Sequence, residues 1–361
     1  MTEGAEDVAS RLLAGPRGRR LCLQVAVRTS PSVGRALFWL AHQADGPQRS
    51  TLLTFGDGGS GEEPDYTCEQ LADRIRSVTT VRLGTEAVHD ALRDSVDAAR
   101  YWQEPDGADK VAAQPEVRAA LVDIARAIIA SPVAESWDRS PTTEQWAVDW
   151  RPAPDDASVL VNSAAVLADW DRDHREDEET AKRERSHDAR ALFSGTWWSF
   201  PTGLSQTRGS VHGALDLQED SFGPEFAIVT PVRGTGRICE IRSAEDWARL
   251  CRRHPAEVTA SRRHDWFRVT GRDGRWLIPD WSRVALEWDA VHLSVLGYLN
   301  AATTLIPVDR EYASVIAGWG PDSTLWLTDV VRKHGPRQRW TRQSGADAWT
   351  REDPDIVSNR S

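Results

Sequence analysis

Residues 261–299 read SRRHDWFRVTGRDGRWLIPDWSRVALEWDAVHLSVLGYL, and the reading of this stretch decides the fold of the C-terminal half. It holds four of the seventeen tryptophans and two of the nine histidines. Asp273-Gly274, within Gly271-Arg272-Asp273-Gly274, is a hairpin signal because a tight turn needs positive φ. Residues 266–270 and 275–278 are therefore expected as two strands. Asp280 stands where an N-cap belongs, and Trp281, Val284, Ala285 and Trp288 follow at helical spacing. Residues 290–299 then alternate. Val291, Leu293, Val295 and Leu299 share one face, and His292, Ser294 and Tyr298 the other, with Leu296 among them. The stretch is read as strand, turn, strand, helix, strand.

Working outward, 226–232 and 237–241 read as strands around the turn Arg233-Gly234-Thr235-Gly236. Ser243 caps a helix with Asp246 at its third position, and Trp247, Leu250 and Cys251 form its apolar stripe. His254 follows one turn later and Pro255 ends the helix. Residues 313–319 and 324–330 read as a hairpin turned by Gly320-Pro321-Asp322. Toward the N-terminus the pattern is helical. Residues 85–102 align Val88, Leu92, Val96 and Ala99, and 115–130 align Val117, Leu121, Ile124, Ala125 and Ile128. Residues 33–41 and 68–78 are shorter helical candidates, and 50–55 is strand-like. Residues 157–190 begin as a helix and continue as DRDHREDEETAKRERSHD, a solvated helical face with pairs such as Glu178–Lys182 and Glu179–Arg183.

The expected fold class is α+β. A mainly helical domain (1–156) is followed by a charged helical linker (157–193). A C-terminal domain (194–331) of mainly antiparallel sheet with two or more short helices carries the candidate site, and a polar, weakly ordered tail (332–361) closes the chain.

Composition narrows the function. With 361 residues, 40% hydrophobic and 27% charged, the chain has the make-up of an ordinary folded protein. No apolar run is long enough to span a bilayer, and the acidic start lacks the basic and apolar regions of a signal peptide. The expected location is the cytoplasm. A net charge of −11 argues against nucleic acid as a partner, because such binding relies on a broad positive surface. Cys22, Cys68, Cys239 and Cys251 include no CxxC and read as reduced thiols. There are three lysines, none following a glycine, so no phosphate loop of the GxxxxGK type exists.

Several motifs fail on inspection. Residues 56–61, GDGGSG, match G-x-G-x-x-G, but Glu62, Glu63, Pro64 and Asp65 follow where helix amides should hold a pyrophosphate. Position 62 also breaks the nucleophile elbow. Asp169, Asp171 and Asp173 alternate as in a calcium loop, yet His174 and Thr180 replace the required Gly and Glu. Cys239, Cys251, His254 and His264 lack the paired spacing of a zinc site, so no metal is expected, and no cofactor is specified.

Two features remain. His292, Ser294 and Tyr298 on one strand face form a catalytic candidate: His292 as base, Ser294 as nucleophile or binder, Tyr298 as donor. Seven arginines crowd 252–275 against Glu257, Asp265 and Asp273. Arg262, Arg263 and Arg268 suit an anion, and Trp266 suits stacking on a ring. The ordinary readings are a half-exposed strand histidine, surface arginines and core tryptophans. Trp197 and Trp198 are expected to seal the linker against the core. The leading expectation is an intracellular protein whose C-terminal domain binds a small anionic or nucleotide-like ligand, with chemical transformation allowed by the same residues. The alternatives are a non-catalytic module that docks a protein partner, or a structural component of a larger assembly.

The segments RGRRLCLQVA (17–26), DAARYWQEPD (97–106), GTWWSFP (195–201), RRHDWFRVTGRDGRWLIPDW (262–281) and WDAVHLSVLGYL (288–299) together resemble uncharacterised actinobacterial, tryptophan-rich two-domain proteins. The resemblance covers most of the chain and implies no particular activity. An ADP-ribosyltransferase set built from Arg208 or His212, Tyr298 and Glu311 does not match that superfamily in order or context.

Overall fold

The computed structural model describes residues 3–46, 65–79, 83–151, 158–221, 223–343 and 348–352. The strand-like run 50–55 and the glycine-rich 56–61 lie outside the described residues. Helices open the chain: α1 (Glu3–Leu12), α2 (Pro16–Thr29), α3 (Pro31–Asp45), α4 (Cys68–Arg76), α5 (Thr85–Asp97), α6 (Gly107–Ala112), α7 (Pro115–Ala120) and α8 (Val122–Ile129). Their starts follow local chemistry. Pro16, Pro31 and Pro115 occupy first-turn positions where no N–H is needed. Thr67 and Gln70 form a reciprocal capping box on α4. The expected apolar faces are buried: Val88, Leu92 and Val96 on α5, Ile124, Ala125 and Ile128 on α8.

Strand β1 (Glu144–Asp149) follows, then the 22-residue α9 (Ser163–Glu184), β2 (Gln206–Arg208), α10 (Val211–Asp216), β3 (Phe226–Gly234), β4 (Ile238–Ile241) and α11 (Ala244–Arg253). Next come β5 (Pro255–Glu257), α12 (Thr259–Thr270), β6 (Arg275–Pro279), α13 (Trp281–Glu287), β7 (Ala290–Leu293) and α14 (Val295–Ala301). Short strands finish the described chain: β8 (Ile306–Pro307), β9 (Tyr312–Ser314), β10 (Ser323–Trp326), β11 (Val331–Lys333), β12 (Gln338–Thr341) and β13 (Thr350–Arg351).

Among the described residues the main sheet runs β13-β12-β3-β1-β2-β10-β7-β4, with β11 also paired to β3. Only its β4–β7 pair is parallel. A smaller sheet runs β5-β6-β9-β8. The chain is α+β, with the sheet concentrated in its C-terminal part. One apolar cluster extends from Ala9 to Leu327, and α14 packs directly on α2. Trp247, Trp281 and Trp319 meet within it at ring separations of 6.0–6.2 Å. Each such indole removes about 150–250 Å² from water, so the trio is a major share of the hydrophobic driving force. Among the described residues no helix is long and apolar enough to cross a membrane.

The structure corrects several sequence readings. Residues 266–270 are the second half of helix α12, not a strand. Its buried face carries Arg262, Asp265, Trp266 and Val269 at i, i+3, i+4 and i+7, a helical stripe in which charged residues replace half the apolar ones. Gly271, at φ 72°, is its left-handed C-cap rather than a hairpin residue. The strand expected over 290–299 ends at Leu293. The Ser294 hydroxyl accepts from the Gly297 N–H and starts α14, and burial on all sides erases the contrast that separates strand from helix.

The 313–319/324–330 hairpin does not form. β9 joins the small sheet and β10 the main one. Strands β3 and β4 also go to different neighbours, because β3 is flanked by β1 and β12 and β4 pairs with β7. Glu178 does not pair with Lys182. It is 4% exposed and accepts from the N–H groups of Ala260 and Ser261, capping α12, while Lys182 pairs with Glu179 at 2.7 Å. In the segment read as a weakly ordered tail, β11 and β12 hydrogen-bond to β3.

Candidate functional site

The predicted arginines are already committed to protein partners. Arg262 is 3% exposed, ion-pairs with Asp177 at 3.2 Å and donates from Nε to the Trp198 carbonyl at 3.4 Å. Burial lowers its pKa to about 10. Arg263 donates to the His187 carbonyl at 3.0 Å. Arg268 donates to the Trp102 carbonyl at 2.7 Å and the Phe193 carbonyl at 2.6 Å, and pairs with Asp265. Trp266 is fully buried, edge-on to Trp276, and gives its indole N–H to the Trp197 carbonyl at 3.0 Å. One helix therefore grips the backbones of Trp102, Trp197 and Trp198 from behind.

Those three tryptophans, with Tyr101 and Phe200, form the aromatic wall of a cleft of about 260 Å³. Trp197 stacks on Trp198 at 4.3 Å and on Tyr101 at 5.5 Å, and meets Trp102 at 4.9 Å. The wall needs Gly318: at φ 76° it is left-handed, and a Cβ there would lie 2.5 Å from Trp198. Polar groups line the rest, chiefly Arg208, Gln206, Gln218 and Glu219.

Arg208 is the last residue of β2 and is 8% exposed. Among the described residues its guanidinium donates to one acceptor, the Pro321 carbonyl, and no carboxylate lies within ion-pair distance. Desolvation outweighs the more distant attraction of Asp322 and Glu219 and lowers its pKa. A guanidinium has five N–H donors, and those not given to Pro321 are open to the cleft that Arg208 lines.

Glu219 faces the same space. It accepts a hydrogen bond from the Tyr101 hydroxyl. Burial, only partly offset by the Tyr101 and Tyr298 hydroxyls and by Arg17 and Arg208, raises its pKa to about 7. Tyr298, from α14, is fully buried and electrostatically coupled to Glu219, Arg17 and Arg208. Its hydroxyl has no well-aligned hydrogen-bond partner among the described residues. Burial raises both tyrosines well above their ordinary value, with Glu219 adding to the effect, so both stay protonated.

His292 is 1% exposed, with Nδ1 at 3.0 Å from the Thr324 hydroxyl and Nε2 at 3.9 Å from Asp322. Burial, with Arg208 and Arg242 nearby, pushes its pKa down to about 4, leaving a neutral imidazole at pH 7. Asp322 accepts from the Gly209 N–H at 3.1 Å, has φ 51° and feels the charge of Arg208 without forming an ion pair with it. Of the predicted set, Tyr298 and His292 lie within electrostatic reach of Arg208, Ser294 spends its hydroxyl on a helix cap, and the α12 residues support the wall.

Sequence reasoning passed over Arg208, Glu219, Tyr101 and the Trp197–Trp198 face as one site. The usable signals were Gly318-Trp319-Gly320, which brackets a core tryptophan with two close-approach positions, and the isolated Arg208 on a short strand. Comparison with protein-family models, with curated proteins and with solved structures gives no match.

Proposed function

We propose that this cleft binds a ring-bearing anion of the nucleotide type, with the ring against the Trp102–Trp197–Trp198 wall and the anionic group on Arg208. The observation that carries the reading is the buried arginine without a carboxylate partner. Burying an unpaired charge is costly, and proteins retain such groups where an incoming ligand supplies the counter-charge. A guanidinium fork matches phosphate or carboxylate oxygens, and an indole face accepts any aromatic ring. Glu219, poised near pH 7 and hydrogen-bonded to Tyr101, is the group suited to accept or return a ligand proton, with Tyr298 completing its surroundings. The chemistry is proton transfer at the ring-bearing ligand, and binding alone satisfies the geometry equally.

A three-probe thermal-shift titration tests the reading. Adenosine supplies only the ring, inorganic phosphate only the anion, and adenosine monophosphate both. Stabilisation follows mass action and reaches about 2.7 kcal/mol at a hundred times Kd. The expected result is a shift with the monophosphate that exceeds either fragment. No shift with any of the three overturns the reading, and a shift with phosphate equal to that with the monophosphate removes the ring subsite.

A further inference from the structure

A second cleft, about 340 Å³, also has Arg208 in its lining and is walled by Trp146, Trp150, Val148 and Val161. The two clefts share Thr202, Gln206, Arg208 and Gln218 as common lining. Trp146 of β1 is register-paired with Arg208 of β2, which sets an indole next to the guanidinium along the sheet. Both Trp146 and Trp150 are half-buried, and Trp150 leans on Trp349 at 5.9 Å. A buried cation without a carboxylate partner is therefore common to two tryptophan-lined lobes.

We infer that the two lobes hold one ligand whose two ring-bearing halves are joined by an anionic bridge, a dinucleotide with a phosphodiester or pyrophosphate link lying on Arg208. The inference rests on the cleft reading given above. Size favours it. The first lobe alone falls just under the roughly 300 Å³ at which small-molecule sites begin, while the joined lobes fall well inside that range. Chemistry favours it too. Trp197 and Trp198 on one side and Trp146 and Trp150 on the other offer π-faces that accept any base, and base stacking is sequence-tolerant. Arg208 carries donors enough for a bridge with several oxygens. Gln206 and Gln218, common to both lobes, add amide groups at the junction.

The test is calorimetric titration of the full chain with adenosine monophosphate and with two adenosines joined through a pyrophosphate, on wild type and Trp150→Ala. The expected result is at least tenfold tighter binding of the pyrophosphate-linked probe by wild type. Trp150→Ala abolishes that gain and leaves the monophosphate affinity unchanged. If the monophosphate binds and the linked probe binds no more tightly, the two-lobe inference is overturned and the single-lobe reading stands. If the tenfold gain survives Trp150→Ala, the second half lies elsewhere and the inference is again overturned. If neither probe binds, both readings fall. The wild-type comparison needs no variant, so misfolding of Trp150→Ala leaves the inference testable.

Discussion

Trp266 donates its indole N–H to the backbone carbonyl of Trp197 at 3.0 Å, so a fully buried side chain fixes the face that lines the cleft. Trp266→Phe keeps most of the apolar volume and leaves the Trp197 carbonyl unpaired, at a cost of about 1–3 kcal/mol. Urea unfolding is expected to show that loss. Calorimetry is expected to show weakened binding of adenosine monophosphate, although Trp266 itself lies behind the wall.

The cap on α12 is a second lever. Glu178 holds the N–H groups of Ala260 and Ser261, each at 2.9 Å, from a buried position. Glu178→Ala exposes two helix-start donors to an apolar setting and is expected to cost about 1–3 kcal/mol by urea unfolding. Glu178→Gln retains an amide oxygen and is expected to lose less. Equal losses for the two variants would show that charge, not acceptance, is what α12 requires.

Gly318 has positive φ and no room for a methyl group, with Trp198 2.5 Å and Trp197 2.8 Å from the place a Cβ would take. Gly318→Ala pays left-handed strain of roughly 1–2 kcal/mol and pushes the indoles apart. The expected readout is a lower Tm together with a changed near-ultraviolet dichroism of the stacked tryptophans. An unchanged spectrum would mean the wall yields elsewhere.

Stability is expected to depend on pH in two opposite windows. Glu219 has its pKa raised from 4.5 to about 7, so the folded state holds its proton more tightly, and this contribution declines as pH rises from about 4.5 through 7. His292 and His174 are lowered from 6.5 to about 4 by burial, so their contribution is present above pH 6.5 and is lost as pH falls toward 4. Glu219→Gln is therefore expected to flatten the upper window and to exceed wild-type stability at pH 8, as measured by chemical unfolding across pH. An identical pH curve for this variant and wild type would show that the carboxyl is not held protonated.

Much of the fold was legible where one physical signal dominated. A proline or a cap located α4, α7 and α11, and apolar spacing gave the buried faces of α5 and α8. It failed where burial mixed polar and apolar residues. The inward face of α12 carries Arg262 and Asp265, whose partners Asp177, Trp198 and Arg268 are remote or turn-related and leave no periodic trace. In α14 every residue near Tyr298 is buried, so alternation and helical spacing look alike. Within the arginine cluster, Arg262 and Arg268 hold the Trp198 and Trp102 carbonyls, contacts that sequence spacing does not record. The cleft itself joins residues from 99 to 320, and no local pattern records that meeting.

The proposed function implies that Arg208 is kept buried for a ligand anion rather than for the fold. Arg208→Met preserves apolar bulk and removes a buried charge that no carboxylate pairs, a relief that offsets the loss of its bond to the Pro321 carbonyl. Thermal unfolding of this variant and wild type, with and without adenosine monophosphate, separates the two roles. The expected result is an unliganded Tm equal to or above wild type and loss of the ligand-induced shift. A lowered unliganded Tm with an undiminished shift would contradict it.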